Sequence, residues 1–262
     1  MISSQRLKDV WKQGGATLNG WLSIPSHLSA EAVAVRGFDT VTVDMQHGMI
    51  GFESAVSMIG SVRLSNAVPI VRVPWSDLSS AMRVLDAGAG GVILPLVNTA
   101  ADAAQFVAAC RYPPAGIRSV GPTRARLHAD DYIERANEDV LLFAQVETEE
   151  AARNIEEIST VPGLDGIYVG PADLNASLGG RPVLDSREPE FLRLLSRVSV
   201  ACRSRDLVPG IHCETVDYGM EMVDIGYQMI TVGSDVRMLS GGAIAIVRDF
   251  RQAVSEKASA GE

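Results

Sequence analysis

Eight short runs rich in Val, Ile and Leu recur along this chain at fairly even spacing, and each is followed by a longer stretch with helical periodicity. That alternation constrains the fold more than any other feature, because parallel strands need crossover helices between them. The strand candidates are residues 16–24 (ATLNGWLSI), 38–46 (FDTVTVDMQ), 68–74, 90–97, 141–148, 166–171, 208–213 and 227–234. Between them GFESAVSMIGSVRL, LSSAMRVLDAGA, TAADAAQFVAACR, EEAARNIEEISTV, PEFLRLLSRVSVACRSR and VDYGMEMVDIG read as amphipathic helices. Gly60, Gly88, Gly163 and Gly226 are placed as helix C-terminal glycines. Eight strands alternating with helices point to a (β/α)8 TIM barrel, with a doubly wound open sheet as the alternative. No linker, low-complexity tract or composition break divides residues 1–262, so a single domain is expected, with the tail SEKASAGE frayed.

A formal charge of −9 argues against nucleic acid or an anionic membrane as partner, and so for a small-molecule ligand. Three cysteines, Cys110, Cys202 and Cys213, form no CxxC pair, which suits reduced thiols. The first fifteen residues have no apolar signal-peptide core and no run approaches a membrane span, so a soluble cytoplasmic protein is expected. The basic residues divide into 20 Arg and three Lys, and the lysines, Lys8, Lys12 and Lys257, all lie near the termini.

In a barrel of this kind the C-terminal ends of the strands converge on one face, where active sites are built. Those ends carry Asp44, Gln46 and His47, then Arg72, Gln145 and Glu147, Asp173, His212, and finally Ser234 with Asp235. Glu147 in AQVET and Asp173 in GPADL fall on neighbouring strand ends, where two like charges need a proton or a cation between them. A hard divalent ion such as Mg²⁺, Mn²⁺ or Co²⁺ fits two carboxylates with positions open to substrate oxygens. The plainer reading makes each carboxylate a helix cap or ion-pair partner, with Asp173 an N-terminal cap and Arg72 bridged to Glu147. Trp21 is placed either as a wall of the substrate pocket or in the core, and Gly233-Ser234 either as an anion-binding helix start or as a tight turn. The glycines of DAGAGGVILP precede a strand, so they make no dinucleotide loop, and no organic cofactor is expected.

FDTVTVDMQHG, PIVRVPW, LDAGAGGVILPLV, RYPPAGIRSVGPTRA, AQVETEEAARNIEEI and GIYVGPADLNASLG together resemble the HpcH/HpaI aldolase family, the class II pyruvate aldolases that cleave 4-hydroxy-2-oxo acids. The resemblance runs from about residue 16 to residue 235. It implies a divalent metal held by Glu147 and Asp173, Arg72 on the keto oxygen of a pyruvate unit, an acid/base dyad of His47 with Asp44, and Gln145 orienting metal or substrate. Ala172, Trp21 and Ser234 join the substrate-binding set. It further implies a homohexamer that exchanges a C-terminal helix, here GGAIAIVRDFRQAV, with Asp86 reaching a neighbouring subunit's site. Two positions depart from the family pattern: Asp44-Met45-Gln46-His47 stands where many relatives carry DGEH, and His212 holds a strand end with no fixed family role.

Aldol cleavage of a 2-oxo acid leaves an enolate, whose charge is absorbed by a lysine imine or by a metal ion. With no lysine between residues 12 and 257, the metal route is the one expected, and Arg72 adds charge stabilisation. The His47/Asp44 dyad would take the C4 hydroxyl proton directly or through a metal-bound water. The reading is thus a metal-dependent aldolase acting on a 2-oxo acid, pyruvate or hydroxypyruvate, and an aldehyde. Its alternatives are a 2-oxo diacid decarboxylase, a citrate-lyase-β-like acyl-CoA lyase, and a non-catalytic metabolite-binding barrel.

Overall fold

The computed structural model describes residues 4–259. In chain order it contains α1 (Gln5–Lys12), β1 (Thr17–Leu22), α2 (His27–Ala34), β2 (Thr40–Asp44), α3 (Phe52–Val62), β3 (Val68–Arg72), α4 (Leu78–Asp86), β4 (Gly91–Leu94) and α5 (Ala100–Cys110). A 3₁₀ turn at Ala125–His128 leads to α6 (Tyr132–Asp139), β5 (Leu141–Val146), α7 (Glu149–Arg153), α8 (Ile155–Ile158), β6 (Gly166–Val169) and α9 (Pro171–Ser177). The chain ends with α10 (Pro189–Arg203), β7 (Val208–Cys213), α11 (Val216–Asp224), β8 (Met229–Val232) and α12 (Asp235–Ser259). The eight strands close in sequence order into one barrel, parallel throughout, as a (β/α)8 TIM barrel requires.

All eight expected strands are present, most of them trimmed at the ends. Residues two apart on a strand share a face, so each strand sends one set inward and the other against the helices. Inward go Ile70, Ile93, Phe143 and Met229, closed from below by Leu7 and Trp11 of α1. The Trp11 indole N–H donates to Thr17 Oγ1 (2.9 Å), and Lys8 pairs with Asp165 (3.0 Å) just ahead of β6. α1 therefore plugs the N-terminal end of the barrel and leaves the other end open.

Three expectations change. The stretch 149–161 breaks into α7 and α8 at Asn154, whose side-chain amide turns away to donate to the Asn98 carbonyl (2.9 Å). Gly60 lies inside α3 and is no cap; a Cβ there would come within 2.5 Å of the Arg124 guanidinium, so the missing side chain admits that arginine. Gly88, Gly163 and Gly226 do take the left-handed φ of helix-terminating glycines. Of the tail expected to be frayed, residues 255–259 continue α12, and 260–262 lie outside the described residues. At 25 residues α12 is about 37 Å long by its rise per residue. It carries Leu239, Ile244, Ile246 and Phe250 largely exposed. No helix among the described residues is long and apolar enough to cross a membrane.

Candidate active site

The strand register sets Asp44, the last residue of β2, directly opposite Arg72, the last residue of β3. Both side chains turn inward and form a two-pronged ion pair, with Arg72 Nε donating to Asp44 Oδ1 (2.9 Å) and Nη2 to Oδ2 (2.7 Å). Asp44 is 1% exposed and Arg72 8%, so the pair is out of water. Asp44 also accepts the backbone N–H groups of Gln46 (3.0 Å) and His47 (3.3 Å) and the Trp21 indole N–H (3.3 Å). Burial alone would raise the Asp44 carboxyl. Its hydrogen bonds to Arg72, that residue's charge, and the two backbone donors hold it below the ordinary carboxylate value instead. Trp21 lies under the Arg72 guanidinium, 4.7 Å from it, and is buried in the apolar cluster inside the barrel.

Two sequence expectations are corrected here. Arg72 bridges to Asp44 and not to Glu147. Asp44 reaches His47 through the backbone N–H; the His47 ring makes no hydrogen bond among the described residues and stands exposed in the turn after β2. With its oxygens already accepting from Arg72, Trp21 and two backbone groups, Asp44 does not orient that imidazole.

On the far side of the mouth, Gln145 lies on β5 and Glu147 is the first residue past its end. Glu147 Oε1 accepts the Leu96 backbone N–H (2.9 Å), and Oε2 accepts the Gln145 side-chain amide in a short contact. Leu96 delivers that N–H from a left-handed backbone (φ 55°), a conformation leucine rarely takes and one that the surroundings must hold. Gly170, at the end of β6, leaves the carboxylate room: a Cβ there would meet Glu147 Oε2 at 2.7 Å and the Gln145 amide at 3.0 Å. Asp173 is not the cap of α9; Gly170 occupies that position, and Asp173 sits exposed in the helix's first turn. Burial raises the Glu147 carboxyl above its ordinary value, and the charge of Asp173 adds to the rise, against the opposing pull of Leu96, Gln145 and Arg72.

These residues fit a hard divalent cation. Gln145 Oε1 is sealed from solvent without a hydrogen-bond partner, and a cation would relieve the repulsion that Asp173 exerts on Glu147. The donors are all oxygen, the chemistry that Mg²⁺ and Mn²⁺ favour. Among the described residues no group of three or more His, Cys, Asp or Glu is arranged to hold a metal.

The remaining expected residues divide. Ala172 is half-buried on the first turn of α9, and Ser234 is half-buried at the start of α12, accepting the Arg237 backbone N–H (3.4 Å). Asp235 is structural: it ties down the backbone of Ser23 (2.8 Å) and Ile24 (3.1 Å) and the Ser29 hydroxyl (2.9 Å). Asp86 closes α4 just before β4 begins, at the barrel end opposite the mouth, where the buried Arg118 holds it (2.7 Å). It does not join its own chain's site. Sequence reasoning missed Tyr168, which stacks on Trp21 (5.9 Å), and a polar ladder inside the barrel formed by Asn19, Thr40, Thr42 and Thr231. The signal was available, since Asn and Thr recur at alternate positions of β1 and β2, where a parallel strand buried on both faces should be apolar throughout.

Comparison with known proteins finds relatives over nearly the whole chain. The family model for HpcH/HpaI aldolase/citrate lyase matches residues 19–241. A hydroxypyruvate/pyruvate aldolase of Rhizorhabdus wittichii is 37% identical over 247 residues, 94% of this chain and 98% of the relative. A 4-hydroxy-2-oxo-heptane-1,7-dioate aldolase of Salmonella dublin is 33% identical, covering 93% of each. The crystal structure of an HpcH/HpaI aldolase/citrate lyase family protein from Burkholderia cenocepacia J2315 superposes with a TM-score of 0.86 at 32% identity, over 95% of this chain and 98% of that one. The chain belongs to the HpcH/HpaI aldolase/citrate lyase family.

Proposed function

We propose that the protein is a divalent-metal-dependent aldolase, a carbon–carbon lyase that reversibly cleaves 4-hydroxy-2-oxo acids to pyruvate, or a related 2-oxo acid such as hydroxypyruvate, and an aldehyde. The observation that carries this reading is the pairing, across one barrel mouth, of the buried oxygen donors of Gln145 and Glu147 with a buried, carboxylate-anchored arginine. Glu147 and Asp173 would hold the cation, with Gln145 helping to orient metal or substrate. Once bound, the cation would polarise the 2-oxo acid and lower the cost of the enolate.

The chain's own residues divide the rest of the work. Arg72 uses Nε and one Nη2 proton on Asp44, which leaves Nη1 and the second Nη2 proton for the keto oxygen. Asp44 fixes that guanidinium before substrate arrives, so little reorganisation is needed as charge develops. His47, exposed at the mouth, takes the C4 hydroxyl proton during cleavage and returns it in the reverse direction. Trp21 walls the pocket, and Ala172 and Ser234 line its rim. The lysines support a metal route over an imine: Lys8 is paired at the plugged end, Lys12 is exposed on the same helix, and Lys257 is in the last turn of α12.

The assembly we propose is a homohexamer that exchanges α12 between subunits, which would cover its exposed apolar residues and bring Asp86 to a neighbour's site. We place the protein in the cytoplasm on its three buried, unpaired thiols. A retro-aldol screen of 4-hydroxy-2-oxo acids with pyruvate detection, run with and without chelator, tests the reading. Metal-dependent pyruvate release supports it; no release from any such acid with metal bound overturns it.

A further inference from the structure

The reaction described above leaves His212 without a task, although its ring stands inside the mouth. It lies edge-on to Trp21, with ring centroids 4.9 Å apart, and is partly open to solvent. Its Nδ1 is 3.3 Å from the Tyr168 hydroxyl, which is 2.7 Å from Thr231 Oγ1. Thr231 Oγ1 in turn accepts from the Asn19 side-chain amide (2.8 Å). The Asn19 Oδ1 accepts the hydroxyl protons of Thr40 (2.7 Å) and Thr42 (3.0 Å), and the amide turned over would leave both protons without an acceptor among the described residues.

Proton bookkeeping along this ladder fixes the imidazole. Each hydroxyl has one proton to give. Among the described residues Thr231 has no acceptor for its proton except Tyr168, so Tyr168 is left to donate its own to His212 Nδ1. A neutral imidazole that accepts on Nδ1 carries its proton on Nε2. Burial, reinforced by the charge of Arg72 and opposed by Asp44, lowers the ring's pKa to about 4, so it is neutral at pH 7. Nε2 has no partner among the described residues and is not among the sealed polar atoms. The ladder thus presents one N–H donor, of fixed tautomer, to the pocket.

We infer that His212 is a specificity-determining residue whose Nε2–H donates a hydrogen bond to a substrate oxygen outside the carboxylate and keto groups of the 2-oxo acid unit. The inference rests on the aldolase reading for its substrate, though not for its tautomer. A donor facing a bare methyl group would be left unpaired, so the site favours an oxygenated partner over its plain analogue. That oxygen has two sources, the C3 hydroxyl of a hydroxypyruvate-type donor or a hydroxyl on the aldehyde half.

Two measurements test this. Nitrogen NMR of ¹⁵N-histidine-labelled protein, with the His212 signals assigned by their loss in His212→Gln, should show a neutral ring protonated at Nε2 at pH 7, and a mixture of tautomers in Tyr168→Phe. A ring protonated at Nδ1, or charged at pH 7, overturns the inference. In metal-loaded protein, kcat/KM is then compared for hydroxypyruvate against pyruvate, and for glycolaldehyde against acetaldehyde, in wild type, His212→Leu and His212→Gln. His212→Leu should lower the oxygenated-to-plain ratio about 10- to 100-fold in one of the two pairs, and His212→Gln should recover part of it. The pair that changes identifies the source of the oxygen. An equal loss on all four substrates, or unchanged ratios, overturns the assignment. A wild type that turns over none of them sinks the aldolase reading and the substrate half of the inference together, while the tautomer is decided by NMR alone.

Discussion

Asp44 and Arg72, 28 residues apart in sequence, are joined by two hydrogen bonds of 2.9 and 2.7 Å across adjacent strand ends, and this pair is the fixed point of the mouth. Removing one partner leaves the other charged and buried, at a cost of about 3–5 kcal/mol. Asp44→Asn should therefore lower stability by an amount of that order at pH 7. The folded-state pKa of Asp44 lies below its ordinary 3.8, so its contribution is complete above that value and is lost as pH falls through the folded pKa. Urea unfolding at several pH values should show a wild-type advantage over Asp44→Asn that is widest near neutrality and narrows below about pH 4. A constant gap would mean that Asp44 does not carry the charge described.

His47 and Arg72 should separate kinetically. His47→Ala should lower kcat for aldol cleavage by about 10²- to 10⁴-fold, the scale for loss of a general base, with metal binding retained. Arg72→Ala should slow cleavage and also the exchange of pyruvate methyl protons with solvent, because its charge serves the enolate. Proton exchange followed by NMR alongside cleavage decides this. A His47→Ala enzyme that cleaves at near the wild-type rate would reduce His47 to a wall of the pocket.

Much of this arrangement could be read from the sequence, for identifiable reasons. The strands were legible because β-branched runs such as TVTVD and VPIVR sit between helical periods, and the site because Asp44, Arg72, Gln145 and Glu147 end or follow such runs. The partner of each charge was not legible. That depends on register, and only the pairing of Asp44 opposite Arg72 directs the arginine away from Glu147. The plug α1 was missed because only Leu7 and Trp11 of its eight residues are buried, too few to stand out in a polar segment. The tautomer of His212 was equally hidden, since it is set by hydroxyls on three other strands and the Asn19 amide on a fourth.

Gly170→Ala tests the cation site without touching a ligand. The new Cβ would lie 2.7 Å from Glu147 Oε2, so the carboxylate must shift. Displaced supporting contacts typically cost 10- to 100-fold in metal affinity, and a loss of about that size is expected for Mn²⁺ by calorimetry. An unchanged affinity in a folded variant would place the cation elsewhere.

Borohydride added with pyruvate should leave activity intact, because Lys8 is held by Asp165 at the closed end and no lysine faces the mouth among the described residues. Mass spectrometry that found a reduced pyruvyl-lysine adduct would contradict the lysine argument.

The central claim is that Glu147 and Asp173 hold a divalent cation on which carbon–carbon cleavage depends. The most direct measurement is retro-aldol turnover of a 4-hydroxy-2-oxo acid by protein verified metal-free by elemental analysis, then resupplied with Mg²⁺, Mn²⁺ or Co²⁺, for wild type and for Glu147→Gln. The account predicts no pyruvate release without metal, recovery on resupply in wild type, and a far weaker recovery in Glu147→Gln. Full turnover by the verified metal-free wild type would contradict it.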